Sequence, residues 1–308
     1  MTSLGIFAAP GKAQAHRLAL QLADLASRHG LEVRLQDGLR SPAQIGADGC
    51  LISDELASCD VLVTLSGDGG VLAAARAAAQ FETPVLAVDL GRLGFLSAVR
   101  PDDIENSFHR LLNGEFEVEE RMMIEARVLR ADKGSEQVED TAFSSPSPLL
   151  DIGGGIALND AVVAKSALAR ILRLSIYAGG QQIAAIRADG LVVSTPTGST
   201  AYALSAGGPI VPPHVPLLLV CPICAHTLNQ RPFIVGADEI LEVRAEWEGD
   251  EVNSASLDAM LTLDGQVGVS LRPGDLVRVQ RATRTARLLR DPADTFYARL
   301  RHKMSWGG

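Results

Sequence analysis

Four cysteines in 308 residues are too few for a disulfide framework. Cys221-Pro-Ile-Cys224 has the spacing of half a zinc site, but no second pair completes it, so a structural zinc is not expected. No Lys/Arg cluster is present and the formal net charge is −9, which argues against nucleic acid as a partner. No apolar run approaches the ~20 residues that a membrane helix needs. Met1–Pro10 is short and leads into a polar helical pattern, unlike a signal peptide, so a soluble, cytoplasmic protein without a membrane partner is expected. No internal repeat is visible. No Gly-Lys-Ser/Thr follows a glycine turn, so there is no Walker loop. Anionic ligands must therefore be met by backbone amides, arginines or a metal ion.

What remains is an ordinary globular composition, 47% hydrophobic and 21% charged, long enough for two domains with their own cores. Over the first third, strand and helix signals alternate. Strands are predicted at Leu4–Ala9, Leu31–Leu35, Asp60–Leu65 and Pro84–Leu90, and helices at Arg17–His29, Val71–Gln80 and Ile104–Leu112. Such alternation implies a parallel sheet covered on both faces, with ligands at the carboxyl ends of its strands. From about Glu117 the pattern changes to short β-branched or alternating runs punctuated by Gly and Pro, the mark of an all-β domain. These runs are Met122–Leu129, Ile156–Val163, Ile171–Tyr177, Gln182–Arg187, Leu191–Ser194, Leu217–Val220, Ile240–Arg244, Leu261–Leu263 and Leu276–Gln280. The polar segment Ala131–Leu150 reads as a surface loop. The reading is an α/β N-terminal domain with a parallel sheet over 1–116 and an all-β domain over 117–285. A helix-like basic tail, about 286–308, is expected to pack back on the first domain.

Two polar strand ends stand out. Leu191–Val193 runs into Ser194-Thr-Pro-Thr-Gly-Ser-Thr-Ala-Tyr202 and on to Ser205-Ala-Gly-Gly-Pro209, where nearly every residue is a hydroxyl, a Gly or a Pro. A strand ending in such a block offers N–H groups and hydroxyls suited to phosphate oxygens and ribose. The other is Ser66-Gly-Asp-Gly-Gly70, after the apolar run Val61–Leu65 and before a helix. Glycines there let the backbone approach an anion, and the helix N-terminus favours negative charge. Asp68 on its own reads equally as a helix N-cap. The spacing is not that of the dinucleotide fingerprint.

Taken in order, Ser66–Gly70, Asp89-Leu-Gly-Arg-Leu-Gly-Phe-Leu96, Ala157-Leu-Asn-Asp160, Arg187-Ala-Asp-Gly-Leu191, the Ser194–Pro209 block and Leu263-Asp-Gly-Gln266 closely resemble the NAD kinase family. Its members phosphorylate the 2′-hydroxyl of the adenosine ribose of NAD. The resemblance spans about Leu62 to Gln266, and Phe296–Trp306 is similar to the family's bacterial C-terminus. It implies a two-domain architecture, Asp68 as general base, and phosphate contacts from Gly67, Gly69 and Gly70. It further implies NAD contacts from Asp68, Gly69, Phe95, Asn159, Asp160, Arg170, Arg187, Asp189, Thr200, Ala201, Tyr202, Ala203, Leu204, Ser205 and Gln266. ATP or polyphosphate as donor, Mg²⁺ as the divalent cation and a homodimer or homotetramer come with it.

Plainer roles stand beside these. Asn159-Asp160 reads also as a strand-end turn, Arg170 and Arg187 as solvated strand faces, Tyr202 and Phe95 as core aromatics, and Gln266 as a hairpin residue. His226 is left out of the site. The chain departs from the family's usual Gly-Gly-Asp-Gly-Thr by Ser66 and Gly70, from its usual Asn by Asp89, and from its usual Glu by Asp160. Two other functions are weighed: a lipid kinase of the diacylglycerol kinase type, suggested by the Gly-Asp-Gly turn, and a non-catalytic NAD-binding sensor, suggested by the departures.

Overall fold

The computed structural model describes residues 1–36, 52–91, 94–131, 149–165, 171–226, 229–247 and 259–306. Two compact units emerge: Met1–Arg121 with Arg284–Gly308, and Met122–Thr283.

The first unit begins β1 (Ser3–Ala8), α1 (Ala13–Arg28), β2 (Glu32–Leu35), α2 (Asp54–Ala57), β3 (Val61–Ser66), α3 (Asp68–Ala79), β4 (Val85–Asp89) and α4 (Ile104–Leu112). The strands lie in the order β2-β1-β3-β4, all parallel. Alternation along each strand sorts the side chains. Leu4, Ile6, Val63, Leu65, Leu86 and Val88 pack against Ala15, Ala19 and Leu22 of α1 and Ile104 and Phe108 of α4. The opposite face meets α2 and α3. A Cβ on Gly5 would lie 2.5 Å from the Leu56 carbonyl oxygen, so only glycine lets α2 cross β1 so closely. All six residues of β3 are buried, as a strand covered on both faces requires.

α3 starts at Asp68, three residues before the predicted Val71. Gly67 caps it in an extended conformation, and its carbonyl accepts the N–H groups of Gly70 (3.0 Å) and Val71 (3.3 Å). Glycine's low helix propensity hides this first turn from a sequence reading.

The second unit holds most of β5 (Glu117–Ala131), then β6 (Leu149–Ala157), β7 (Asp160–Lys165), β8 (Leu172–Ala178), β9 (Gln181–Ala188), β10 (Gly190–Ser194), α5 (Tyr202–Ser205), β11 (Leu217–Ile223), β12 (Phe233–Gly236), β13 (Leu241–Trp247), β14 (Ala259–Leu263), β15 (Val267–Leu271) and the first part of β16 (Leu276–Arg290). One antiparallel sheet runs β12-β11-β10-β7-β14-β15. Ala161, Val163, Leu191 and Val193 point from it into a core shared with Leu174, Ile176, Val243 and Val277 of β8, β13 and β16. Its other face buries Val162, Val192 and Leu219 under Ala203 of α5. Ile156–Val163, read as one strand, is two: β6 ends at Ala157 and β7 begins at Asp160. The predicted loop falls mainly on residues 132–148, outside the described residues, and Leu149 and Leu150 already belong to β6. The strand expected at Leu276–Gln280 runs on to Arg290. Its last residues return to the first unit, where Leu288 pairs with Val85 of β4, and α6 (Phe296–Lys303) follows.

Candidate functional site

Asp68 is the first residue of α3, half-buried at the carboxyl end of β3. Its Oδ1 is buried without a hydrogen-bond partner, an unusual condition for a carboxylate oxygen and one suited to a ligand hydroxyl. The segment after β4 closes over it. A Cβ on Gly94 would fall inside the Asp68 carboxyl group, so position 94 is glycine for space. Burial raises the Asp68 carboxyl above its ordinary value; Lys303 of α6 and the Phe95 and Leu96 amides oppose the rise, and Asp89 adds to it.

Asp89, buried at the end of β4, accepts the Gly91 N–H on Oδ1 and the Gly94 N–H on Oδ2, both at 2.8 Å. The carboxylate thus ties this turn at two points, one on each oxygen. The departures at 66 and 70 are one exchange. The Ser66 hydroxyl, buried and bonded to Thr64 Oγ1 (2.7 Å) and the Gly67 carbonyl (3.0 Å), fills the space that a Cβ on residue 70 would need. Serine at 66 and a side chain at 70 exclude each other.

In the second unit a cavity of about 290 Å³ is lined by Asn159, Asp160, Ala201, Tyr202, Asp264 and Gly265, among others. A turn holds it. Asp264 and Gly265 both have positive φ (51° and 65°), and the Gln266 N–H bonds the Leu263 carbonyl, which is the geometry an Asp-Gly pair favours in a hairpin. The Asp264 carboxylate then reaches back across the sheet. It accepts the N–H groups of Leu158 (3.1 Å), Asn159 (2.8 Å) and Asp160 (3.3 Å), breaking the strand and setting Asn159 and Asp160 at the break. Across the cavity the 194–200 block engages the same residues. Thr195 N–H and Ser194 Oγ both bond the Asn159 carbonyl (2.9 and 3.1 Å), and a Cβ on Gly198 would collide with that carbonyl. Thr195 Oγ1 binds the Leu158 carbonyl and Ser199 Oγ the Val211 backbone. The hydroxyls of Ser194, Thr195 and Ser199 therefore build the turn instead of facing a ligand, contrary to the impression that their sequence gives.

Residues 4–116 match the family model of the ATP-NAD kinase N-terminal domain, and 158–290 that of the ATP-NAD kinase C-terminal domain. The chain belongs to the NAD kinase family. It is 38% identical over 310 residues to an NAD kinase of Moorella thermoacetica, covering all of this chain and 91% of that protein. It is 44% identical over 246 residues to an NAD kinase of Symbiobacterium thermophilum, covering 80% and 78%. Among solved structures, yeast NADH kinase complexed with NADH superposes with a TM-score of 0.82 at 22% identity, covering all of this chain and 88% of that one. An Archaeoglobus fulgidus NAD kinase in complex with ATP gives 0.70 at 23%, covering all of both chains. At those identities the likeness carries the fold. The match to both NAD kinase models leaves the lipid kinase and sensor readings without support.

Within this family fold, Asn159, Asp160, Ala201 and Tyr202 share one cavity, with Thr200 beside Ala201 in the same turn. Ala203 faces the core and Leu204 is half-buried, while Ser205 is exposed at the end of α5. Gln266 leaves the hairpin turn next to Gly265. Asp189 stands elsewhere. Ser194 is opposite Asp160 and Gly190 opposite Ala164, so Asp189 sits at the far end of β10, paired with Lys165 (2.7 Å) and 3.9 Å from His226. Arg187 is exposed on β9, opposite Arg173. Arg170 lies outside the described residues. Gly67, Gly69 and Gly70 form the capped start of α3, and Phe95 carries the Lys303 ammonium 4.8 Å from its ring centroid. Sequence reasoning missed Asp264, Gly94 and Lys303. Asp264 had a signal, the Asp-Gly turn inside a quoted motif, but nothing local says which backbone it will bind.

Burial, with Asp264 beside it, raises the Asp160 carboxyl to about 7. A folded state that holds this proton more tightly than the unfolded chain loses stability as pH rises from about 3.8 to about 7. Asp160→Asn should abolish this component, of order 2–4 kcal/mol. Urea melts from about pH 4 to pH 8 would show the wild type losing stability relative to the variant. A pH-independent difference between them would contradict the assignment.

Proposed function

We propose that this chain transfers the γ-phosphate of ATP to the 2′-hydroxyl of the adenosine ribose of NAD, giving NADP, with Asp68 as general base. The observation that carries the reading is the buried, unpartnered Oδ1 of Asp68 at the start of α3. A ribose hydroxyl is a weak nucleophile near neutrality. Asp68 Oδ1, which has no other hydrogen-bond partner, accepts the hydroxyl proton as the new P–O bond forms. The N-terminus of α3 supplies a positive end for the phosphates. Asn159 and Asp160 offer an amide and a carboxyl to the hydroxyls of the bound dinucleotide, in a cavity the size of a nucleoside. Among the described residues no three His, Cys, Asp or Glu side chains are grouped to hold a metal. A divalent cation such as Mg²⁺ would accompany the donor's phosphates, where it would neutralise charge on the transferred group.

The test is a coupled assay of NADP formation with ATP and polyphosphate run side by side. ATP should support turnover, and Asn159→Ala should raise the KM for NAD roughly tenfold through loss of a buried partner. No NADP from either donor would end the reading. Mass measurement in solution checks the homodimer or homotetramer that goes with it. No helix among the described residues is long and apolar enough to cross a membrane, and a cytoplasmic setting is part of the proposal.

A further inference from the structure

Phosphoryl transfer needs fixed positive charge, and this chain has no Walker lysine. The C-terminal helix brings a lysine to the Asp68 centre. Arg299 and Lys303 are four residues apart on α6 and therefore share a face. Arg299 Nη1 donates to the Phe95 carbonyl at 2.8 Å, and Arg290, at the end of β16, donates to the same carbonyl at 3.3 Å and to that of Ser97 at 3.1 Å. Both arginines are buried, and Glu119 pairs with Arg290 at 3.1 Å. Two guanidinium groups on the backbone of one short segment fix it against Asp68. One turn further on, the Lys303 ammonium lies over the Phe95 ring, within electrostatic reach of Asp68.

We propose that α6 is a working part of the Asp68 centre and that Lys303 is its positioning cation, seated on Phe95 and supporting the Asp68 carboxylate. The inference rests on Asp68 being the base. Among the described residues, the groups facing Asp68 are Lys303 from α6, Asp89 from the end of β4, and the amides of Phe95 and Leu96. His302, next to Lys303, opens instead onto a cavity of about 710 Å³ that it shares with Asp89, Gln14 and Arg100. Lys303 favours the ionised form of Asp68, so neutralising it must move the acid limb of turnover to higher pH.

The experiment measures kcat and the KM for NAD of the full chain against pH for Lys303→Met, Lys303→Gln and Lys303→Arg. Arg301→Met, exposed on the same helix, serves as control, and Asp68→Asn is run in parallel. Both neutral variants should lose roughly tenfold in kcat at the acid end, the change that one pH unit makes on a single-proton limb. The loss should close as pH rises, with KM unchanged. Lys303→Arg should restore the wild-type profile, and Arg301→Met should keep it. A wild-type profile in the neutral variants, or a loss equal at every pH that arginine does not repair, would overturn the role of Lys303. Near-normal turnover by Asp68→Asn would instead remove the base assignment itself.

Discussion

Asp68→Asn is expected to turn NAD over roughly 10²–10⁴ times more slowly than the wild type while keeping the fold and most NAD affinity. The amide has the carboxylate's shape, so it fits the space that Gly94 leaves, and the capped turn at Gly67 is untouched. What it lacks is basicity. In the wild type, burial and Asp89 hold the Asp68 carboxyl above its ordinary value, against Lys303 and the neighbouring amides, so turnover should fall on acidification as the base is protonated. The variant's residual rate should lose that acid limb. A product phosphate on the 2′ position would be repelled by an ionised Asp68. NADP should thus bind more tightly to the variant than to the wild type when metal is chelated at low salt. Steady-state kinetics across pH and NADP titration in chelator check both halves. Near wild-type turnover with an unchanged pH profile, or equal NADP affinities, would place Asp68 away from the reacting hydroxyl.

Gly94→Ala should cost about 10² in kcat, although it adds one methyl group and leaves Asp68 in place. The backbone at Gly94 is not in the left-handed region, so the penalty is one of space: the new Cβ falls inside the Asp68 carboxyl. The segment cannot retreat. Its Gly94 N–H is held by Asp89 at 2.8 Å, and its Phe95 carbonyl by Arg299 at 2.8 Å and Arg290 at 3.3 Å. The carboxylate must therefore turn away, and a displacement of about 1 Å is enough to lose two orders of magnitude in a positioned reaction. Melting temperature and NAD affinity should change little, because the collision is confined to a half-buried side chain. An alanine variant with normal kcat would show that Asp68 works from a different position.

Both expectations turn on contacts of very different legibility. The strands of the first unit, the glycine turn carrying Asp68 and the polar block after Ser194 are written in the local sequence. Apolar runs, helical spacing and Gly/Pro punctuation act over a few residues, and they identify a strand end wherever it occurs. The ordered motifs add the family and its reaction. Glycine's poor helix propensity hides the first turn of α3, and the turn that Asn159-Asp160 suggests within Ile156–Val163 has a cause no local reading supplies, the carboxylate of Asp264 more than a hundred residues away.

Tertiary structure alone decides that Ser66 and Gly70 form one complementary pair, and that Gly94 must lack a side chain to admit Asp68. It decides as well that the hydroxyls of Ser194, Thr195 and Ser199 build a turn, that Asp160 shares its burial with Asp264, and that Arg290, Arg299 and Lys303 return to the segment after β4. Each of these depends on where a distant backbone or charge comes to rest, and that position is set by packing of the whole unit. By itself the sequence determined the strand ends, the residue types available there and the chemistry they can do. The packed chain determined which of those groups stay open to a ligand and which are consumed in holding the others in place.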